Sequence, residues 1–234
     1  GDFESYDDRI LSSYMGPLIH DPNIEVTFTL GVRYRTLNLN CERFPTNITA
    51  YRRAMAYGFD KYRANQEAIG GIGMPLDSYI PIVSETWEVE SEVGGEFYDM
   101  NIAAGNASLE AAGFIDLDGD GWREYDANGD GDFIDPGDYD DNHADMSIEM
   151  NPSLAYDPAI IACTVAQDGL TAMGMHSTIV EMDFGTIIDN MVIGDYYVSC
   201  WTEGVAVLNT AKLLYDNFRT GAVWNPDYYK FSNA

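Results

Sequence analysis

From residue 145 to residue 218 the chain alternates strand-like and helix-like segments, and that order leaves few folds open. DMSIEMN (145–151), MHSTIVEMD (175–183) and DYYVSCWTEG (195–204) read as strands. YDPAIIACTVAQDGLTAMG (156–174), FGTIIDNMVIG (184–194) and VLNTAKLLYDNF (207–218) read as helices, with Pro158 suited to the first turn of the first one. Strand, helix, strand, helix, strand, helix implies an α/β fold whose crossovers cover a sheet.

The preceding half supplies further elements. IEVTFTLGVRYRTLNLN (24–40) alternates β-branched or aromatic residues with polar ones and reads as two strands around Gly31. NITAYRRAMAYGFDKYRA (47–64) places Tyr51, Ala54, Met55, Gly58, Phe59 and Tyr62 at helical steps, which predicts one amphipathic helix. NQEAIGG (65–71) reads as a short second helix stopped by glycines, and GIGMPLDSYIPI as a loop. A further short helix is expected from about Ser108, ended by Gly113. With 234 residues, 46% hydrophobic and 13% aromatic, the chain has a sizeable core, and no low-complexity linker divides it. One domain is expected over residues 1–234, with an acidic surface insertion at 116–145.

That insertion, DLDGDGWREYDANGDGDFIDPGDYDDNHAD, holds twelve of the 39 acidic residues. Asp116, Asp118 and Asp120 alternate as hard oxygen ligands do in a calcium loop, with Gly121 at the sharp turn. Asp126, Asn128 and Asp130 with Gly131 repeat the arrangement ten residues later. The twelfth loop positions, where a bidentate carboxylate would close an EF-hand, hold Ala127 and Gly137. Glu124, Asp132, Asp135 and Asp138 are the residues able to close an irregular site, because calcium accepts six to eight oxygens in flexible geometry. A structural Ca2+ on Asp116, Asp118, Asp120, Asp126, Asn128, Asp130, Asp132 and Asp135 thus stands beside the plainer reading, a solvated loop whose Asp-Gly pairs serve tight turns.

Several function classes are disfavoured. A net charge of −27 with 12 basic residues makes nucleic acid and anionic membranes poor partners. Cys41, Cys163 and Cys200 form no C-x-x-C pair and read as buried thiols, and three scattered histidines suggest no zinc site. Neither a nucleophile motif nor a selected carboxylate pair indicates an enzyme. No stretch is apolar enough to span a bilayer, and the first residues do not read as a signal peptide.

Four motifs in order resemble the family 5 extracellular solute-binding proteins of peptide and nickel ABC transporters. They are the strand ending in RTLNLN, the helix Tyr51 to Lys61 of type VRQALAYAIDR, and the loop Gly71 to Pro81 of type GxGxPAxSxIPP. The fourth is the stretch Leu109 to Glu124, of type AxxLLxEAGF with a DxDGDGxRE tail. The resemblance covers about residues 24–218 and implies a periplasmic-binding-protein-like lobe, a mixed sheet flanked by helices with the long acidic loop on its surface.

Family members usually exceed twice this length, so the resemblance implies one lobe of a two-lobed receptor that closes on its ligand. It implies the substrate-binding component of an importer for oligopeptides or similar small solutes, working with the membrane permease of an ABC transporter. It implies an extracellular, cell-surface or periplasmic location, with an anchor in the full-length protein. The family's ligand-facing motif GWxADYxxP matches at Trp201, whereas Gly204 stands where an acidic residue would hold a peptide amine and Glu203 falls one residue early. Trp201, Glu203 and Tyr197 are the ligand-binding candidates. The second acidic unit, Asp126 to Asp141, extends the family tail, and a cation particular to this chain is expected there. A calcium-stabilised extracellular structural or adhesion module is the competing reading.

Overall fold

A computed structural model describes residues 12–27, 33–77, 79, 98–154, 156–204, 210–220 and 222; the side chains of 12–15, 33, 201–204, 210 and 213 lie outside the description. Of the strand expected before Gly31, residues 24–27 are described and form no strand, while 28–32 and the stretch 80–97 fall outside the description. Helix α1 (Ser12–His20) precedes strand β1 (Arg33–Leu39), and helices α2 (Thr49–Gly58), α3 (Lys61–Ile69) and α4 (Ile102–Glu110) follow. A small antiparallel pair, β2 (Phe114–Ile115) and β3 (Glu124–Tyr125), brackets the first acidic unit. Then come β4 (Ile148–Pro152), α5 (Asp157–Ala172), β5 (Ser177–Ile179), α6 (Phe184–Ile193), β6 (Val198–Gly204) and α7 (Thr210–Phe218).

The main sheet has the order β1-β6-β4-β5. β4 runs parallel to both β5 and β6, while β1 is antiparallel to β6, in register from Arg33 opposite Gly204 to Leu39 opposite Val198. This is the expected mixed α/β sheet. A parallel neighbour needs a crossover, and α5 and α6 supply the two here. α5 covers one face: Ala159, Ala162, Cys163, Ala166 and Leu170 share a core with Ile148, Met150, Val198 and Cys200. α6 covers the other face through a separate cluster of Ile187, Met191 and Tyr196.

The small residues along α5 let other helices approach it closely. Gly169 meets Gly58 of α2 backbone to backbone, so α2 and the sheet enclose α5 from two sides. Leu109 and Phe114 are fully buried in the same core, each contributing about 1.5–3 kcal/mol by burial. Cys163 and Cys200 are buried in it, as the sequence suggested, and Cys41 is half-buried.

Two helix boundaries differ from expectation. Two helices are expected, over 47–64 and 65–71, and two are found, but the break falls at Phe59 and Asp60 and the expected short helix is the second half of α3. The reason is that Phe59 leaves helical geometry and the Asp60 carboxylate caps α3 by accepting from the Arg63 N–H at 2.9 Å. The two helices carry apolar residues in step, so periodicity alone does not reveal the break. The helix expected from Ser108 starts at Ile102, where the Asn101 side chain accepts from the Ala104 N–H at 3.0 Å. α1 was not anticipated.

Candidate functional site

The chain passes from β4 to β5 over one face of the sheet and returns to β6 over the other. Strand order therefore reverses at β4, and the carboxyl ends of β4 and β6 beside that switch are the usual ligand position in open α/β sheets. Pro152 to Leu154, Ile179 to Val180 and the last residues of β6 form this edge, joined by the amino-terminal half of the antiparallel β1. Leu154 and Val180 are exposed there.

The two faces differ in chemistry. Leu37, Leu39, Met150 and Cys200 point to the apolar α5 side. On the α6 side, Asn38, Ser199 and Asn151 stand in one row across β1, β6 and β4, all buried. Burial of such groups requires partners. Asn38 accepts from the Thr36 hydroxyl at 3.0 Å, Ser199 donates to the Met191 sulfur at 3.2 Å, and Asn151 donates to Glu149 at 2.7 Å. Strand alternation puts positions 201 and 203 on the same face as Ser199, opposite Thr36 and Tyr34. The backbones of Trp201 and Glu203 therefore belong to β6 near its carboxyl end, and their side chains lie outside the described residues.

Tyr197 is not with them. It precedes β6 at the opposite end of the strand and is buried in the core, with the Arg43 guanidinium 3.7 Å from its ring centroid and its hydroxyl 3.4 Å from Asp145. Burial raises its hydroxyl above the usual range. Tyr196 and Tyr197 alternate to opposite faces and both pack, because each face of the sheet has its own helix. Tyr197 thus supports β6 from the core.

Sequence reasoning passed over Arg35 and Tyr156. Arg35 on β1 lies opposite Thr202, on the α5 face, and donates to the hydroxyl of Tyr156, the residue that precedes α5; its guanidinium stands 5.0 Å from that ring's centroid. The signal was a strand arginine in a chain with few bases. Tyr34, Tyr79 and Phe218 also make a chain of edge-to-face rings, 5.4 and 4.7 Å between centroids, and Asn217 donates to the Tyr79 hydroxyl at 2.6 Å.

The two acidic units fold alike. Asp116 accepts from the N–H groups of Gly119 and Gly121, and Asp126 accepts from those of Gly129 and Gly131. All four glycines have positive φ, between 77° and 99°, the turn geometry the Asp-Gly repeats require. Those backbone donors hold the Asp126 carboxyl below its usual range. Asp116, Asp118 and Asp120 bring carboxylate oxygens within 4.8 Å of one another, and this is the grouping of that kind among the described residues. In the second unit the Asn128 amide instead donates to Asp130 at 3.1 Å and to Asp135 at 3.0 Å, while Asp132 accepts from Ile134. The convergent oxygens thus belong to the first unit, and the extension is closed by its own amide. Asp130 and Asp132 nearby push the Asp135 carboxyl up.

The first unit is fastened to the core beneath it. Arg123 donates from Nε to Met173 O and from Nη1 to Phe114 O, each at 2.8 Å, and pairs with Glu110 at 3.1 Å. Glu124, 1% exposed, accepts from the Leu117 N–H at 2.8 Å; burial, with Asp118 and Asp141 nearby, raises its carboxyl. Asp141 lies 3.5 Å from His176, whose ring stacks on Trp122 at 3.8 Å.

Comparison with known proteins agrees with this architecture. The oligopeptide-binding protein AppA from Bacillus subtilis, solved in complex with a nonapeptide, is similar over 96% of this chain and 41% of its own, at 15% identity with a TM-score of 0.76. Lactococcal OppA, complexed with an endogenous peptide in the closed conformation, matches 96% of this chain and 41% of its own, at 14% identity and a TM-score of 0.73. NikA from Brucella suis in complex with Fe(III)-EDTA matches 94% of this chain and 39% of its own, at 16% identity and a TM-score of 0.71. The chain thus spans about two fifths of the length of these structures. No curated protein matches it in sequence. Among the described residues no helix is long and apolar enough to cross a membrane. The family model described as bacterial extracellular solute-binding proteins, family 5 Middle, matches residues 7–225, and the chain belongs to that family.

Proposed function

We propose that this chain forms one lobe of a two-lobed substrate-binding component of an ABC importer, taking oligopeptides or similar small solutes to a membrane permease. The observation that carries this reading is the switch of strand order at β4, with Trp201 and Glu203 on β6 near its carboxyl end beside that switch. Trp201 offers an aromatic surface to the solute, and Glu203 offers a carboxylate to an amine. Tyr197 holds β6 in place from the far end. A second lobe supplies the rest of the enclosing surface, as hinged closure around a ligand requires. The working location is outside the cytoplasmic membrane, with the full-length protein anchored to the cell surface or held in the periplasm. The similarity of AppA and OppA, both solved with peptides, supports the peptide class; the NikA chelate keeps metal complexes within range. Thermal denaturation of the full-length receptor against peptides, metal chelates and sugars tests it. A saturable rise in melting temperature with one class is expected, and none with any class contradicts the reading.

A structural Ca2+ on Asp116, Asp118 and Asp120 is compatible with this reading. What favours it is the approach of their oxygens, beside the buried carboxylates of Glu124 and Asp141. Its role is to offset local repulsion and stiffen the loop, away from the carboxyl ends of β4 and β6. A free-standing calcium-stabilised adhesion module is not favoured, since the family match runs through the whole sheet.

A further inference from the structure

We propose that Arg35, positioned by Tyr156, binds a carboxylate of the solute at the α5 side of the strand ends; this rests on the receptor reading above. A chain of net charge −27 repels anions in general, so an anionic group on a ligand needs a local cation to meet it. Most described cations are already engaged: Arg43, Lys61, Arg63, Arg123 and Lys212 each have a carboxylate within 4 Å. Arg35 has none among the described residues, although it is exposed and Asp157 follows its partner directly.

Its place and its restraint both suit recognition. Arg35 lies opposite Thr202, between the β6 positions of Trp201 and Glu203 but on the other face, so a solute lying across the strand ends meets both sides. One guanidinium N–H is committed to the Tyr156 hydroxyl and the group sits against that ring, which leaves the remaining donors of its five for a planar, two-point contact with a carboxylate. Holding the side chain in advance lowers the entropy lost on binding. A surface arginine serving only solubility would gain nothing from a tyrosine clamp at the ligand edge. The carboxylate is that of a peptide terminus or of a small polycarboxylate, and the two sources separate by experiment.

The test titrates the full-length receptor calorimetrically with a random-sequence pentapeptide pool, with the same pool amidated at its carboxyl termini, and with citrate. Wild type is expected to prefer the free-acid pool, or citrate, over the amidated pool by about tenfold. Arg35→Gln is expected to abolish that preference while binding of the amidated pool is unchanged. Arg35→Lys should retain part of it, and Tyr156→Phe should reduce it with the ring kept. Equal binding of the two pools by wild type with no binding of citrate, or an undiminished preference in Arg35→Gln, overturns the subsite and leaves the receptor reading standing. A folded wild type that binds none of the three probes overturns both.

Discussion

Gly169 of α5 lies so close to Gly58 of α2 that a β-carbon on Gly169 would stand 2.1 Å from the Gly58 carbonyl oxygen and 2.9 Å from its α-carbon. Nothing flexible lies in that contact. Gly169→Ala must push α2 from α5, and it should cost about 3 kcal/mol or more. A β-carbon on Gly58 meets first the terminal methyl of Met173, at 2.7 Å, which can move. Gly58→Ala should therefore cost less than Gly169→Ala, in the order that urea unfolding of the two variants can establish. Equal and small losses would mean that the helices are not in contact here.

Arg123 fastens the first acidic unit to the core by donating to the carbonyls of Met173 and Phe114. Its pair with the exposed Glu110 carboxylate adds little in water. Arg123→Ala leaves those carbonyls short of a donor and should destabilise by about 2–3 kcal/mol. Limited proteolysis should then cut within 116–145 before the sheet is attacked. Lysine cannot span both carbonyls with a planar fork, so Arg123→Lys should recover only part of the loss.

Millimolar calcium should raise the melting temperature relative to chelator, if an ion seats on the three converging aspartates. Asp118→Asn should abolish that shift. Asp130→Asn, in the unit closed by the Asn128 amide, should leave it intact. Melting curves of the three proteins, with calcium and with chelator, provide the check. Identical wild-type curves would leave the loop a solvated insertion and would not touch solute binding.

The alternation of strands and helices after residue 145 was legible because each element there is bounded by its own punctuation. Pro158 opens α5, Asp183 caps α6 by accepting from Thr186, and Gly194 closes it in a left-handed conformation. Boundaries were lost where the signal lay in a side-chain bond. Asp60 sits inside an unbroken apolar periodicity, and Asn101 precedes small residues with little amphipathic pattern. Of the proposed site, the sequence pointed only to β6. Arg35 and Tyr156 are 121 residues apart, and a pairing across that distance exists only once β1 lies beside β6 and α5 follows β4. The acidic repeats showed turn chemistry in both units, but the amide at Asn128 decides that the second one closes on itself.

Solute binding at the ends of β4 and β6 is tested most directly by calorimetric titration of the full-length receptor with the pentapeptide pool, comparing wild type with Trp201→Ala and Glu203→Gln. Wild type should bind saturably. Trp201→Ala should weaken binding about tenfold or more, and Glu203→Gln should weaken it in the same direction, with melting temperatures in the absence of peptide close to wild type. Saturable binding that neither substitution changes would contradict the placement of the solute on β6.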